Sequence, residues 1–285
     1  LMWYEGYREL FVGGGSTSPS PSGPSQDVII VGPIYIRAIG LATSSDGLAW
    51  TKSGTTPVLS GGAAGAWDSG GVGTPCLLAS GPTDRMWYTG WGSPTMAIGL
   101  ATFDSGTSTW TNSAAPVLSA GAGPAWDASG VTSPCVLFDG TTYRMWYVAA
   151  PTEQDPGVGI GTAESSDGVT WTKSLSNPVL VPGSPGAPDQ DGVGSAWVVQ
   201  DGSTWRMWYT GWKGGIPTVC YASSPDGLNW IKYSGNPILS AGPAGAWNSH
   251  GMKTPCVLLE GSLFRMWMAG IDDVLEPQIG YASNP

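Results

Sequence analysis

The chain has 285 residues, a formal net charge of −10 and only 11 Lys plus Arg, which leaves no basic surface for nucleic acid. No run of about 18 apolar residues occurs, so no membrane span is expected. Gly 44, Pro 24 and Trp 16, with no helical hydrophobic period, describe a turn-rich all-β chain with ample aromatic surface to bury.

Leu1-Met2-Trp3-Tyr4 opens the sequence as a partial copy of a motif that returns in full. The later copies are Arg85-Met86-Trp87, Arg144-Met145-Trp146, Arg206-Met207-Trp208 and Arg265-Met266-Trp267, spaced by about 60 residues. A Ser/Pro-rich insertion from Gly13 to Ile30 follows the opening strand. Next come Ile39-Gly40-Leu41-Ala42 and the turn Ser44-Ser45-Asp46-Gly47-Leu48-Ala49-Trp50, whose Trp recurs as Trp110, Trp171 and Trp230. Then Trp67-Asp68 begins a set continued by Trp126-Asp127, Pro188-Asp189 and Trp247-Asn248.

The second period reads as strand A, Thr74 to Leu78; strand B, Arg85 to Thr89; strand C, Met96 to Thr102; and strand D around Trp110-Thr111. Four antiparallel strands repeated five times predict one five-bladed β-propeller over residues 1–285. Blade 1 begins at its strand B and lacks the inner strand. Blade 5 ends after strand C, Ile279 to Ser283, and lacks the outer one. The A–B turns are short (Asp139-Gly140, Asp201-Gly202, Glu260-Gly261), so the variable segments, including Pro151–Gly157 and Asp272–Pro277, gather on the opposite face.

The repeat acts as an internal control: a residue in every copy is expected to be structural, and one that breaks the repeat to be functional. Arg85, Arg144, Arg206 and Arg265 are therefore expected to be largely buried blade-to-blade ties. Loss of Arg144 is expected to cost on the order of 3 kcal/mol if it leaves a carboxylate unpaired. Cys76, Cys135 and Cys256 occupy one equivalent position, so they are expected to be buried and unbridged; Cys220 lies in a different strand. No cofactor or metal site is expected, since one His and no Cys/His spacing give no zinc pattern.

Asp68, Asp127 and Asp189 stand before strand A, either as a ring of carboxylates at the channel mouth or as loop caps. Two residues further on, the copies read Gly70, Ser129, Asp191 and His250, and Lys253 replaces Gly73, Thr132 and Gly194. Asp191, His250 and Lys253 at one mouth suit acid/base work or hold sugar hydroxyls; the plainer reading is solvated loop residues. Trp91 and Trp212 follow strand B and offer rings for sugar stacking, or pack between loops. Glu5, Glu153, Asp155, Asp272, Asp273 and Glu276 lie on the same face as possible displaced acids.

Strand B, the Ile39–Lys52 segment with its following Pro57-Val58-Leu59-Ser60, and the Trp67-Asp68 … Thr74-Pro75-Cys76-Leu77-Leu78 segment together resemble the five-bladed propeller glycoside hydrolases. These are the arabinanase, β-xylosidase and invertase-like superfamily, including families 43, 32 and 130. The Ser-x-Asp-Gly-x-x-Trp turn also resembles the Asp-box of sialidase propellers, which is structural there. The resemblance implies a glycosidase-like propeller, a hydrolase or phosphorylase, that acts on or binds an oligo- or polysaccharide at the loop-face funnel. Its acids would come from Asp68, Asp127 and Asp191, with Trp91, Trp212, His250 and Lys253 as substrate contacts. The superfamily carries an acid directly before the inner-strand Pro. Here that place holds Thr74, Ser133, Thr254 and, before Ala196, Ser195. The alternative is a non-catalytic carbohydrate-binding propeller, or a scaffold with a protein partner. Low charge with abundant Ser, Thr, Gly and Trp leads to an expected extracellular or cell-surface location.

Overall fold

The computed structural model describes residues 2–10, 34–78, 84–92, 95–151, 156–273 and 277–284. All of its regular structure is β. The first unit comprises β1 (Met2–Leu10), β2 (Ile34–Thr43), β3 (Thr51–Lys52) and β4 (Leu59–Ser60). The second comprises β5 (Gly71–Leu78), β6 (Arg85–Trp91), β7 (Ala97–Asp104) and β8 (Thr109–Asn112). The third comprises β9 (Val131–Phe138), β10 (Tyr143–Ala149), β11 (Gly159–Ser165) and β12 (Thr172–Lys173). The fourth comprises β13 (Gly192–Asp201), β14 (Thr204–Lys213), β15 (Ile216–Ser224) and β16 (Ile231–Lys232). The chain continues through β17 (Met252–Glu260), β18 (Leu263–Ile271) and β19 (Pro277–Ser283). Strands pair antiparallel with their sequence neighbours inside each unit, except that β4 pairs with β2 beyond the end of β3, and a single parallel bridge, Arg37 to Gly71, joins the first two. The inner strands β5, β9, β13 and β17 touch in succession. No helix among the described residues is long and apolar enough to cross a membrane.

The Arg-Met-Trp-Tyr run explains how units stack. It forms the middle of each sheet, so both faces are covered by neighbouring units and successive side chains point opposite ways. Met86 and Tyr88 pack towards the first unit, in a cluster with Ile39, Leu59 and Val72. Trp87 packs the other way, with Val136, Met145 and Tyr147 of the third unit. Trp146 repeats this against Val198, Met207 and Tyr209 of the fourth, and Trp208 against Val257, Met266 and Met268. Trp87 and Trp146 are fully buried, so truncating either to Ala costs about 3–5 kcal/mol.

The Ser-x-Asp-Gly turn supplies the polar half of each junction. Asp167 Oδ1 accepts the amides of Val169 and Thr170 at 2.8 and 2.7 Å. Gly168 sits at φ 74°, a left-handed conformation that glycine takes without strain. Its carbonyl accepts two indoles: Trp171 of its own unit at 3.1 Å and Trp87 of the preceding unit at 3.0 Å. The two rings meet edge to face at 6.1 Å. Gly227 does the same for Trp230 and Trp146. Gly47 does so for Trp50 and Trp267, which fastens the β17–β19 unit to the first.

The repeated arginines take part in these junctions but are less buried than expected. Arg85 Nη1 donates to the Asp167 carbonyl at 2.5 Å, Arg144 Nη1 to Asp226 at 3.1 Å and Arg265 Nη1 to Asp46 at 3.2 Å. Arg144 also pairs with Glu164 at 2.9 Å, with the side chains 24 % and 51 % exposed. The guanidiniums lie at the rim of each junction, over rings such as Trp205 and Phe264, because the Trp occupies the dry interior. All four cysteines are free. Cys76 and Cys135 are buried, and their sulfurs accept the Val136 and Val198 amides of the next inner strand. Cys256 is only half-buried, since no described inner strand of the first unit stands beyond it.

Candidate functional site

The loop before each inner strand is fixed by its aspartate. Asp68, Asp127 and Asp189 are 2 %, 2 % and 1 % exposed. Asp68 accepts the Gly62 amide at 3.0 Å, the Tyr88 hydroxyl at 3.1 Å and the Asn112 amide at 3.2 Å. Asp127 accepts Gly121 at 3.2 Å, Tyr147 at 3.2 Å and the Lys173 ammonium at 2.5 Å. Asp189 takes Tyr209 at 2.9 Å and Lys232. Each carboxylate therefore ties its loop to the second and fourth strands of one unit. Burial and the neighbouring carboxylate hold the phenols of Tyr88, Tyr147 and Tyr209 well above their ordinary range. In the β17–β19 unit Met268 stands where the tyrosines stand, and Asn248 replaces the aspartate. Where the tyrosine donor is gone, the charge is gone with it. The structure thus places Asp68 and Asp127 inside the sheet framework, with their oxygens occupied.

The residues that break the repeat stand elsewhere. The amide of Gly70 donates to Trp91 O at 2.7 Å, that of Asp191 to Trp212 O at 3.0 Å and that of His250 to Ile271 O at 2.8 Å. One backbone bond thus sets the loop before the inner strand against the end of the second strand in each of these units. It brings Asp191 beside Trp212, Gly70 beside Trp91 and His250 beside Ile271, each within its own unit. Asp191 is exposed; its carboxylate accepts Gln190 Nε2 at 3.1 Å and the Gly214 amide at 2.6 Å. His250 Nδ1 lies 3.4 Å from Asp273 Oδ1, with both side chains about half exposed. Asp273 also accepts Ser249 Oγ at 2.7 Å and the Gly245 amide at 2.8 Å. Asp191 and His250 are therefore anchored separately. Trp91 lies under the Arg37 guanidinium, 4.3 Å from its centroid. Lys253 is half-buried in β17. A cleft of about 330 Å³ opens beside the β14–β15 turn, lined by Gly186, Pro188, Lys213, Ile216, Thr218, Asn236 and Pro237. Of the other acids named from sequence, Asp272 accepts Gln278 Nε2 at 2.8 Å. Glu153, Asp155, Glu276 and the Glu5 side chain lie outside the described residues.

Sequence reading missed the backbone at the centre of the inner strands. Thr74, Ser133, Ser195 and Thr254 all have positive φ. The following proline predicts extended backbone at three of them, so the only sequence signal was the recurrence of a hydroxyl at this place.

Comparison with known proteins follows the same outline. Residues 133–282 match the family model "Glycosyl hydrolases family 32 N-terminal domain", and the chain belongs to that family. An uncharacterized protein of Mycobacterium tuberculosis is 31 % identical over 211 residues, covering 70 % of this chain and 67 % of its own. A solved glycoside hydrolase superposes with a TM-score of 0.70 at 22 % identity, over 88 % of this chain and 79 % of that one. A thermostable family-43 glycoside hydrolase does so with a TM-score of 0.67 at 18 % identity, over 87 % and 85 %. The fold is that of the propeller glycoside hydrolases, and the chain lies within their superfamily.

Proposed function

We propose that residues 1–285 form one five-bladed propeller that binds an oligo- or polysaccharide at the face carrying Trp91, Asp191, Trp212, His250 and Lys253. The observation that carries the reading is the repeated bond from Gly70, Asp191 and His250 to the end of the second strand. Five blades are supported by the Trp267 bond to Gly47, which repeats the bond joining the second unit to the third and the third to the fourth. Asp191, exposed at the rim, is the carboxylate we assign to the ligand. Asp68 and Asp127 we assign to the framework, because hydrolysis needs two carboxylates free to exchange protons and theirs are spent on Tyr88, Tyr147, Asn112 and Lys173. Trp91 and Trp212 would stack on sugar rings. Such a role fits an extracellular or cell-surface setting.

Titration calorimetry against a panel of soluble glycans tests this. A Trp91→Ala, Trp212→Ala double variant is expected to stay folded and to bind more weakly, by about 0.5–1.5 kcal/mol per ring. Undiminished binding by the double variant moves the site elsewhere. Failure of the wild type to bind any glycan removes the reading in favour of a protein-binding scaffold.

A further inference from the structure

In the second, third and last units a tryptophan of the loop before the inner strand lies against the sheet. A Cβ added at Gly99 would stand 2.6 Å from Trp67 and one at Gly161 2.6 Å from Trp126, and Gly280 lies against Trp247. Where the second strand carries a tyrosine the two rings meet, Trp67 on Tyr88 at 5.8 Å and Trp126 on Tyr147 at 5.9 Å. The glycine admits the indole because it leaves no side chain on that face of the third strand.

The fourth unit breaks both halves of this arrangement. Pro188 stands where Trp67, Trp126 and Trp247 stand. Cys220 faces Tyr209 across the ladder, as Gly99 faces Tyr88 and Gly161 faces Tyr147. Gly211 is retained, and a Cβ there would stand 2.8 Å from Cys220 Sγ, whereas one at the equivalent Gly90 would strike the Trp67 ring. The sulfur therefore takes up the inner end of the indole's place, and the outer end is open. That opening is the cleft of about 330 Å³, lined among others by Pro188, Lys213, Ile216, Thr218 and Pro237. Pro237 marks the correspondence: its counterpart Pro178 borders the third unit's indole, since a Cβ at Gly159 would stand 3.0 Å from Pro178 and 3.3 Å from Trp126. Ile216 and Thr218 alternate with Cys220 along β15, so the three share one face, and Ile216 is left 47 % exposed.

We propose that this cleft binds a small molecule built on a planar aromatic ring system of indole size, over β15 of the fourth unit. The volume suits it. Roughly 150 Å³ holds a benzene ring, so about 330 Å³ takes two fused rings, the size of a small molecule rather than of a stretch of polypeptide. Pro188, Ile216 and Pro237 supply an apolar lining. The Lys213 ammonium, which donates to the Gly186 carbonyl at 2.8 Å, also lines the cleft and favours the electron-rich face of an aromatic ring over a saturated one. Three sister units seat an indole at the equivalent place, so the sheet accepts such a ring. Binding here needs no glycan on the face of Trp91 and Trp212.

Ligand-observed NMR titration of the whole chain with indole tests this, with cellobiose and a pentapeptide of the sequence Gly123–Asp127 as further probes. Indole should bind with a dissociation constant on the order of 1 mM, as for a ligand of about nine heavy atoms. Ile216→Asn changes an exposed position, so it should fold as wild type and weaken indole about fivefold. Pro188→Trp combined with Cys220→Gly restores the arrangement of the other units. Its own indole should fill the cleft, so that added indole no longer binds and the melting temperature does not fall. No binding of indole by wild type up to about 10 mM, or undiminished binding by both variants, overturns the site. A lower melting temperature in the double variant refutes the correspondence with the tryptophan-filled units, and the proposal with it. Displacement of indole by cellobiose overturns the aromatic class. A pentapeptide that binds more than about tenfold tighter than indole overturns the small-molecule ligand in favour of a protein-docking surface.

Discussion

A single residue shows how partial exposure rescales an energy. Arg144 makes an ion pair with Glu164, a bond to the Asp226 carbonyl and a contact over the Trp205 ring. Because the pair stands in reach of water, it contributes less than about 1 kcal/mol. The carbonyl bond and the ring add about 1 kcal/mol more. Arg144→Ala should therefore cost about 1–2 kcal/mol in a denaturant titration, below the value of about 3 for a buried pair; a loss above that range would mean that the guanidinium is shielded in solution. The turn aspartates give a pH signature. Backbone amides of Ala49 and Leu48 hold the Asp46 carboxyl down to about 2, below its ordinary 3.8, and Asp167 and Asp226 are likewise depressed by the amides they cap. A carboxyl with a lowered folded value stabilises above its unfolded value and loses that contribution as pH falls through the folded one. The melting temperature should fall between about pH 4 and pH 2, and Asp46→Asn should flatten that slope; an equal slope in the variant would reject the assignment. The role of these residues was legible, since Ser-x-Asp-Gly is a turn with a mechanism. The place of the arginines at the rim was not, because a sequence repeat says what recurs and not how deep it lies.

At the scale of the element, strand order and pairing were legible because the hydrophobic runs and turn residues keep one beat. Where strands begin was less so: β5 starts at Gly71, three residues before the expected Thr74, since loop-side glycines pair as well as valines do. The bulge inside the inner strands was hidden, because the proline argues for extended backbone and, at Ser133, the neighbour's Thr89 enforces otherwise. The junction of loop and sheet can be tested through glycine. A Cβ at Gly90 would stand 2.2 Å from the Trp67 ring, and one at Gly99 2.6 Å from it. Trp67 lies against these strands and stacks on Tyr88 at 5.8 Å, so a Cβ at either glycine would push the indole off that stack. Gly90→Ala should destabilise by about 1–3 kcal/mol or more, as overpacking does. A neutral outcome in thermal melts would show that the Trp67 loop lifts away.

At the scale of the molecule, the bonds between units differ in how much sequence they span. Trp87 meets Gly168 across 81 residues, whereas Trp267 meets Gly47 across 220. Loop closure over the longer span costs about 0.9 kcal/mol more in chain entropy, and it also requires every intervening unit to be in place. That bond belongs late in folding, on the native side of the barrier. Trp267→Phe, which keeps a ring and removes the N–H donor, should speed unfolding severalfold and leave the refolding rate within about twofold. Trp87→Phe, acting between adjacent units, should slow refolding as well. Stopped-flow chevrons of the two variants separate these outcomes, and a slower refolding limb for Trp267→Phe would place the clasp early. If it is late, the hydrogen bond between first and last units governs how long the ring stays shut, and adds little to the speed at which it assembles.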